Sequence, residues 1–465
     1  MKDYNDKIQT VFQLQKQHQH IVKQTSTAVR IEKLQKLKAA ILRETPAIIE
    51  ALQVDFAKPS FEAITTEVMT VISEIDLFIE NLEKWMEPVE VPSRNKGETA
   101  KIVYEPKGQC LIFSAWNFPI MLLFYPLIPA IGAGNVCILK PSEMAPASSR
   151  IAVKIVRELF DESEVAIFEG GVEVANALLD LPFNHILFTG STQVGKVVMQ
   201  AAAKHLASVT LELGGKCPVI IDEHVDLEKI VPRIAFGKFA NAGQICLAPD
   251  HVYIKEEQLE EFVRYVQEFI QRSYFENGEL NQADLAKIVN DRNASRLQGL
   301  LDDAVIRGAN IRCGGIVDGR TFYPTVLTDV QNDAKIMQEE IFGPIMPVLT
   351  YTDLNDVIQQ INARPKPLAL YVFSDNTDVV DTVLSRTTSG GVTVNDTMLH
   401  MSEPNLPFGG VNESGIGRYT GIFGFKEFSH ERGVLYKAPV GTNPMESFAH
   451  APYKGKFEKL VKKIK

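Results

Sequence analysis

His185-Ile186-Leu187-Phe188-Thr189-Gly190-Ser191-Thr192-Gln193-Val194-Gly195-Lys196 is the stretch whose reading decides the fold. His185–Phe188 reads as a buried strand and Thr192–Lys204 as a helix, with only small and hydroxylated residues between them. A strand that ends in Gly-Ser-Thr at a helix N-terminus offers free N–H groups and the positive end of a dipole to an anion. Ser191 and Thr192 would serve equally well as plain N-caps, so the motif by itself leaves both readings open. It is not a GxGxxG, and the Gly132-x-Gly134 pair is too weak to replace one.

The same alternation extends to both sides. Val136–Leu139 reads as a strand, Ala147–Phe160 as a helix, Val165–Glu169 as a strand, Val172–Leu179 as a helix, and Ser208–Glu212 as the closing strand. Strands that alternate with helices imply a parallel sheet covered on both faces. A second series starts at Cys217, with strand Pro218–Ile221, helix Leu227–Phe239 and strand His251–Ile254. Helix-rich sequence follows from Gln258 to Arg307, and alternation then returns as far as Gly391–Asn395. The seam between the two units falls near Gly214-Gly215. Upstream, residues 5–86 are helical in pattern, with Ile31, Leu34, Leu37 and Ala40-Ile41 on one stripe and Ile64, Val68, Ile72, Ile75 and Phe78 on another. Lys101–Pro106 is strand-like.

With 465 residues the chain has room for about two or three domains. Its formal charge of −10 argues against nucleic acid as a partner, because phosphate binding needs concentrated positive charge. Cys110, Cys137, Cys217, Cys246 and Cys313 are odd in number and form no CxxC pair, so neither a zinc site nor a disulfide framework is indicated. The polar start Met1-Lys2-Asp3-Tyr4-Asn5 carries no apolar signal region, and a cytoplasmic location is expected. Ile120–Leu139 is the most apolar stretch, but Pro126, Pro129, Gly132, Gly134 and Asn135 make it a buried helix, a turn and a strand, not a membrane span. At the far end Phe457, Leu460, Val461 and Ile464 form an apolar stripe among six lysines. Such a basic amphipathic helix suits an anionic membrane surface or packing on its own protein.

Three residues carry candidate chemistry. Cys246 sits in Asn241-Ala242-Gly243-Gln244-Ile245-Cys246-Leu247-Ala248-Pro249, where Gly243 permits backbone angles closed to other residues. A lone thiol is ordinarily a small buried hydrophobe. Glu212, in Leu211-Glu212-Leu213-Gly214-Gly215-Lys216, and Asn117, in Trp116-Asn117-Phe118-Pro119, add a carboxylate base and an amide donor. An acyl-transferring thiol needs both: donors for the tetrahedral oxyanion and a base for the water that releases the acyl group. Glu212 could instead merely pair with Lys216. Lys140 and Glu143, after a strand in Leu139-Lys140-Pro141-Ser142-Glu143, could hold ribose hydroxyls or form a solvated turn.

Taken together these motifs resemble the NAD(P)-dependent aldehyde dehydrogenase superfamily over nearly the whole chain. Glu212 and Cys246, 34 positions apart, match its two signature motifs, and Asn117 matches its oxyanion asparagine. Within the family Ala248-Pro249-Asp250, Val394-Asn395-Asp396-Thr397-Met398 and Ser414-Gly415-Ile416-Gly417-Arg418-Tyr419 are similar to the class 3 type, which includes fatty, aromatic and coniferyl aldehyde dehydrogenases. The resemblance implies an α/β fold of two Rossmann-like open-sheet domains with a small bridging and oligomerisation element. Residues 1–86 and 107–213 would bind the dinucleotide, 214–402 would form the catalytic domain, and 87–106 with 403–465 the arm and tail. It implies cofactor contacts at Trp116, Lys140, Glu143, Gly190, Ser191, Val194, Gly195, Leu213, Glu340 and Phe342, and substrate contacts at Phe118, Met121, Ile245 and Phe408. It also implies NAD with NADP accepted, no metal, a homodimer, and aldehyde oxidation through a Cys246 thioester. Glu143 would hydrogen-bond a 2′-hydroxyl and repel a 2′-phosphate, which favours NAD. The aromatic and aliphatic substrate residues point to a medium- or long-chain, aromatic or polyene aldehyde. A CoA-acylating enzyme and a non-catalytic descendant of the fold are the alternatives, the second because fold alone does not fix function. The family commonly has a proline where this chain has Ser114-Ala115 before Trp116.

Overall fold

A computed structural model describes residues 2–94, 97–437, 439 and 450–464. Two open sheets organise it. The first runs, in space, Gly415–Ile416, Ser208–Glu212, His185–Thr189, Gln109–Phe113, Val136–Lys140 and Val165–Ile167. Five of these strands are parallel, and only the two-residue edge strand Gly415–Ile416 is antiparallel, with Gly415 opposite Glu212. Chain order reverses between Gln109–Phe113 and His185–Thr189, so the crevice at the carboxyl ends of those strands is where such a sheet binds ligands. The last four strands in this order, from His185–Thr189 to the edge strand Val165–Ile167, are wholly buried, as expected for strands covered by helices on both faces.

The second sheet has seven strands: Asn310–Cys313, Thr325–Thr328, Ile345–Tyr351, His251–Lys255, Pro218–Ile221, Ala369–Phe373 and Gly391–Val394. It is parallel except at the Asn310–Cys313 edge. A short turn over residues 213–217 joins strand Ser208–Glu212 of the first sheet to strand Pro218–Ile221 of the second. Val89–Val91, Thr99–Pro106 and Ser429–Tyr436 make a separate three-stranded antiparallel ribbon.

The helical N-terminal region is realised as Lys2–Lys23, Thr27–Phe56 and a run from Ser60 to Met86. Leu34, Leu37, Ala40 and Ile41 are buried as their spacing predicts. The second stripe departs from expectation: Ile64 is exposed, whereas Val68, Ile75 and Phe78 are core. Its cause is a π-helical segment, Ala63–Met69, whose wider turn rotates Ile64 outward and Glu67 inward. Met121–Ala133 is buried at every position despite Pro126 and Pro129, because the Glu67 carboxylate accepts the N–H groups of Ile120 and Met121 (3.1 and 2.9 Å) at its start. Among the described residues no helix is long and apolar enough to cross a membrane.

Candidate active site

Cys246 is delivered by a strained loop. Helix Leu227–Phe239 gives way to the turn Ala240–Gly243, in which Asn241 (φ +50°), Ala242 (φ +51°) and Gly243 (φ +72°) are all left-handed. Two non-glycine residues in that region cost about 1 kcal/mol or more each and persist only where surroundings hold them. The Glu62 carboxylate accepts the Asn241 N–H at 2.8 Å, and Gln244 is pinned through its side chain to the Asn241 and Lys287 carbonyls and the Val289 N–H. A side chain at Gly243 would strike the Gly343 carbonyl. Beyond the thiol, Tyr371 donates to the Leu247 carbonyl (2.6 Å) and the Cys217 thiol to that of Cys246 (3.4 Å). Cys246 itself remains half-buried. Burial, then the nearby Glu340 and Glu212 carboxyls, push its thiol up to about 12.

Asn117 follows strand Gln109–Phe113 and is buried. Its side-chain amide donates to the Gln244 carbonyl at 3.1 Å, two residues before Cys246. Its own carbonyl accepts from Lys58 Nζ (3.1 Å) and Asn241 Nδ2 (3.1 Å). Lys58 in turn pairs with Glu67 at 2.7 Å, both side chains fully buried, and its ammonium lies 4.2 Å from the centre of the Phe118 ring.

Glu212 closes strand Ser208–Glu212 and points from the sheet edge toward Gly409, whose Cβ position would lie 3.0 Å from Oε1. Neither carboxyl oxygen has a hydrogen-bond partner among the described residues. Burial raises it well above the usual carboxylate range, with Arg418 offsetting part and Glu427 adding to the rise. The Lys216 pairing is not formed. Lys216 is taken by Asp250 and by the Ile336 and Glu339 carbonyls, so it has no free donor for Glu212. Although burial works against it, Lys216 and His251 hold Asp250 below the usual range, and Asp250 Oδ2 accepts the Ile341 N–H at 2.9 Å.

Of the residues expected to hold a dinucleotide, Trp116, Lys140, Glu143, Gly190, Ser191, Val194, Gly195 and Leu213 follow strands of the first sheet, whereas Glu340 and Phe342 precede strand Ile345–Tyr351 of the second. Ser191 is the N-cap of helix Thr192–Ala203 and accepts from Val194 N at 3.4 Å, so the capping reading is realised while the helix start stays exposed. A side chain at Gly190 would meet the Phe188 ring and one at Gly195 would meet Leu213. The Thr189 hydroxyl beside this turn is buried without a partner. Lys140 pairs with Glu143 at 2.6 Å. Burial tends to raise the Glu143 carboxyl, but the bond from Lys140, a backbone hydrogen bond and the Lys140 charge together reverse this and leave it low. Glu340 sits where a side chain at Gly214 would be, and burial followed by Asp250 lifts it to about 7. Trp116 and Phe342 meet edge-on at 5.4 Å, with Phe342 left-handed (φ +49°). An exposed helix start, two glycine-only positions and an orphaned hydroxyl on one edge fit an elongated phosphate-bearing ligand.

The aldehyde dehydrogenase family model matches residues 3–434. The chain belongs to the aldehyde dehydrogenase family. It is 50% identical to AldX of Bacillus subtilis (strain 168) over 437 residues, 93% of this chain and 98% of that one. It is 41% identical to the 4,4′-diaponeurosporen-aldehyde dehydrogenase of Staphylococcus aureus (strain NCTC 8325 / PS 47) over 434 residues, 92% and 93% of the two chains. The substrate-bound structure of Staphylococcus aureus AldH superposes with a TM-score of 0.93 at 38% identity, covering 98% of this chain and 99% of the other. Class 3 aldehyde dehydrogenases are among its relatives, and the two-sheet α/β architecture is that of the family.

Of the residues expected to touch substrate, Phe118, Met121 and Phe408 are buried in the main core, and Ile245 is half-buried beside Cys246. Lys58, Glu62, Glu67, Asn241 and Gln244 hold this aldehyde dehydrogenase site together and went unread in the sequence. A signal existed: Glu67 and Glu74 interrupt an apolar stripe at buried positions, which charged residues rarely occupy without a partner.

The folded protein binds a proton at Glu212 more tightly than the unfolded chain does. Its contribution to stability therefore falls as pH rises from the ordinary carboxylate range toward neutrality. Glu212→Gln removes that dependence. Its melting temperature is expected to match wild type near pH 4.5 and to exceed it by about 2 °C at pH 8. A gap that does not widen with pH, in calorimetry, counts against a desolvated carboxyl.

Proposed function

We propose that this aldehyde dehydrogenase oxidises an apolar aldehyde to its carboxylic acid through a covalent Cys246 intermediate. The observation that carries this reading is the convergence of a half-buried thiol on a rigid loop, an amide donor anchored two residues upstream of it, and an unpartnered buried carboxyl. The Cys246 sulfur adds to the carbonyl carbon as a thiolate, and the Asn117 amide with the Cys246 N–H receives the oxyanion. A nicotinamide dinucleotide, when bound, supplies the acceptor for the hydride. Trp116, Lys140, Glu143, Gly190, Ser191, Val194, Gly195, Leu213, Glu340 and Phe342 would hold it. Cys246 then carries a thioester, and Glu212 draws a proton from the water that hydrolyses it. A CoA-acylating enzyme would have little use for such a base, and added CoA should leave the product unchanged.

Cys246→Ser is expected to abolish the pre-steady-state burst of NADH, and an undiminished burst would overturn the nucleophile assignment. Glu212→Gln is expected to keep the burst while lowering turnover by at least about 100-fold, within the range ascribed to a positioned base.

Substrate class rests on apolar lining. Phe118, Met121, Ile245 and Phe408 suit a medium- or long-chain, aromatic or polyene aldehyde, and the 41%-identical relative is named for a polyene aldehyde. A panel from short aliphatic to long-chain and aromatic aldehydes should give a kcat/KM that rises with apolar size. With the best of these substrates, NAD should be preferred over NADP because the Glu143 carboxylate repels a 2′-phosphate. A preference for short polar aldehydes or for NADP would refute the respective assignment.

We also infer the division of labour expected from the sequence: dinucleotide binding by 1–86 and 107–213, catalysis by 214–402, and pairing into a homodimer through 87–106 and 403–465. Helix Lys456–Ile464 leaves Phe457 and Leu460 exposed, which favours a weak peripheral contact with anionic membrane over packing on its own protein. Lys465 lies outside the described residues, and of Lys463 and Ile464 only the backbone is described. Full-length protein should co-sediment with anionic liposomes more than a chain truncated at Ala451, and equal pelleting would end the idea.

A further inference from the structure

Glu340 and Phe342 lie in an irregular strap between helix Lys335–Gln338 and strand Ile345–Tyr351. Residues 340–342 belong to no helix or strand, and Phe342 is held at a left-handed φ of +49°. Such a segment keeps one shape only where its surroundings supply the missing hydrogen bonds. Here charged side chains supply them. Lys216 Nζ donates to the Ile336 and Glu339 carbonyls (2.7 and 2.9 Å), Arg364 to that of Met337 (2.6 Å), and Arg296 to those of Glu340 and Ile341 (3.2 and 2.6 Å). Asp250 Oδ2 accepts the Ile341 N–H at 2.9 Å, while its other oxygen takes Lys216. Ile336, Met337 and Ile341 are core residues, and Glu340 and Phe342 are left partly exposed.

We infer that Lys216 and Asp250 are the positioning pair for the nicotinamide end of the cofactor site, fixing Glu340 and Phe342 relative to Glu212 and Cys246. The inference rests on the proposed reading of those four residues. Lys216 comes four residues after Glu212, and Asp250 four after Cys246. The pair stands at the amino ends of neighbouring strands, Pro218–Ile221 and His251–Lys255, where Pro218 lies opposite His251. The Asp250 N–H donates to the Cys217 carbonyl at 2.8 Å, so backbone already joins the two chain segments beside the pair. The strap hangs from both segments at once. Arg296, on helix Asp291–Ile306, and Arg364, just after helix Leu354–Asn362, grip the same strap from elements that carry none of the proposed catalytic groups. It is the pair that ties the strap to the segments of the base and the nucleophile.

Both side chains are largely withdrawn from water, Lys216 being 10% and Asp250 3% exposed. Burial works against each charge, and each charge favours the other. A buried pair of this kind adds little net stability, so its value is directional. An ammonium has three hydrogens, and Lys216 places them on the Asp250 carboxylate and two strap carbonyls. Glu340 occupies the place that a side chain at Gly214 would take, so the strap meets the seam two residues after Glu212. A slip of the strap along that seam would move the Glu340 carboxyl relative to both the thiol and the base.

The test replaces both charges, Lys216→Met with Asp250→Asn, so that neither is stranded in the interior. In the protein without cofactor, hydrogen exchange over residues 336–342 should quicken at least about tenfold, while exchange over 208–212 and 251–255 stays as in wild type. In calorimetric titration NAD should bind about tenfold more weakly, and with a long-chain aldehyde the NADH burst should slow by about the same factor. ADP, which reaches only the end formed by Lys140, Glu143 and Ser191, should bind unchanged. Asp250→Asn alone keeps an acceptor for Ile341 but loses the anion that orients Lys216. It should move each readout the same way by a smaller factor. Unchanged NAD affinity and burst rate, or ADP weakened as much as NAD, would overturn the positioning role. Glu340→Gln separates the two levels. If it alters neither NAD affinity nor burst rate, the reading of Glu340 as a cofactor contact fails. If it lowers either while the double variant matches wild type, only the role of the pair is lost.

Discussion

The grip on the Asn117 carbonyl is the constraint from which the site follows. Lys58 and Asn241 donate to the same oxygen, one from the helical N-terminal region and one from the nucleophile loop. Through it the carboxyl edge of the first sheet, the π-helical turn and the thiol loop share one atom. A buried ion pair such as Lys58–Glu67 adds little net stability, because desolvation consumes most of its Coulomb energy. Removing one partner would still cost about 3–5 kcal/mol by stranding the other charge. The pair is thus better understood as fixing a geometry. Each of its remaining hydrogen-bonding positions is used on the backbone of residues 117–121.

The strain in the thiol loop is maintained by the same arrangement. Asn241 and Ala242 would leave the left-handed region if free; hydrogen bonds to Glu62, Asn117 and Gln244 hold Asn241, and burial in the core holds Ala242. Hydrogen bonds are directional where packing is not, so the loop has one position to adopt. That matters at the nucleophile, since a displacement near 1 Å costs on the order of 100-fold in rate.

Periodicity made the two sheets legible because parallel buried strands and their helices differ in period and are separated by turn residues. Cys246, Glu212 and Asn117, which lie at strand ends or in a loop, stood out by residue type, and the resemblance to the family's motifs supplied the roles expected of them. The supporting residues were not legible for the opposite reason. Lys58 and Glu67 are nine positions apart on ordinary helical sequence, and only the π turn, which has no distinctive composition, swings Glu67 inward. Proximity in sequence made Lys216 an available alternative partner for Glu212. The chain instead carries it across the seam to Asp250 and two carbonyls. Spacing constrains which residues share a strand face or a helix stripe, but says nothing about which of several buried carboxyls a lysine will choose.

That choice has an electrostatic consequence. With Lys216 committed to Asp250, Arg418 offsets only part of the burial of Glu212, and burial pushes Cys246, Glu212 and Glu340 all toward their neutral forms. Burial thus disfavours the charged form of each of these three groups. On the proposed reading, a cationic nicotinamide ring bound beside Glu340 would favour the ionised form of each of these groups. Linkage then works in both directions: the ring promotes ionisation of the thiol, and the thiolate strengthens binding of the ring. A nucleophile that is quenched by its surroundings until the oxidant arrives is protected from reacting with aldehyde when no hydride acceptor is present.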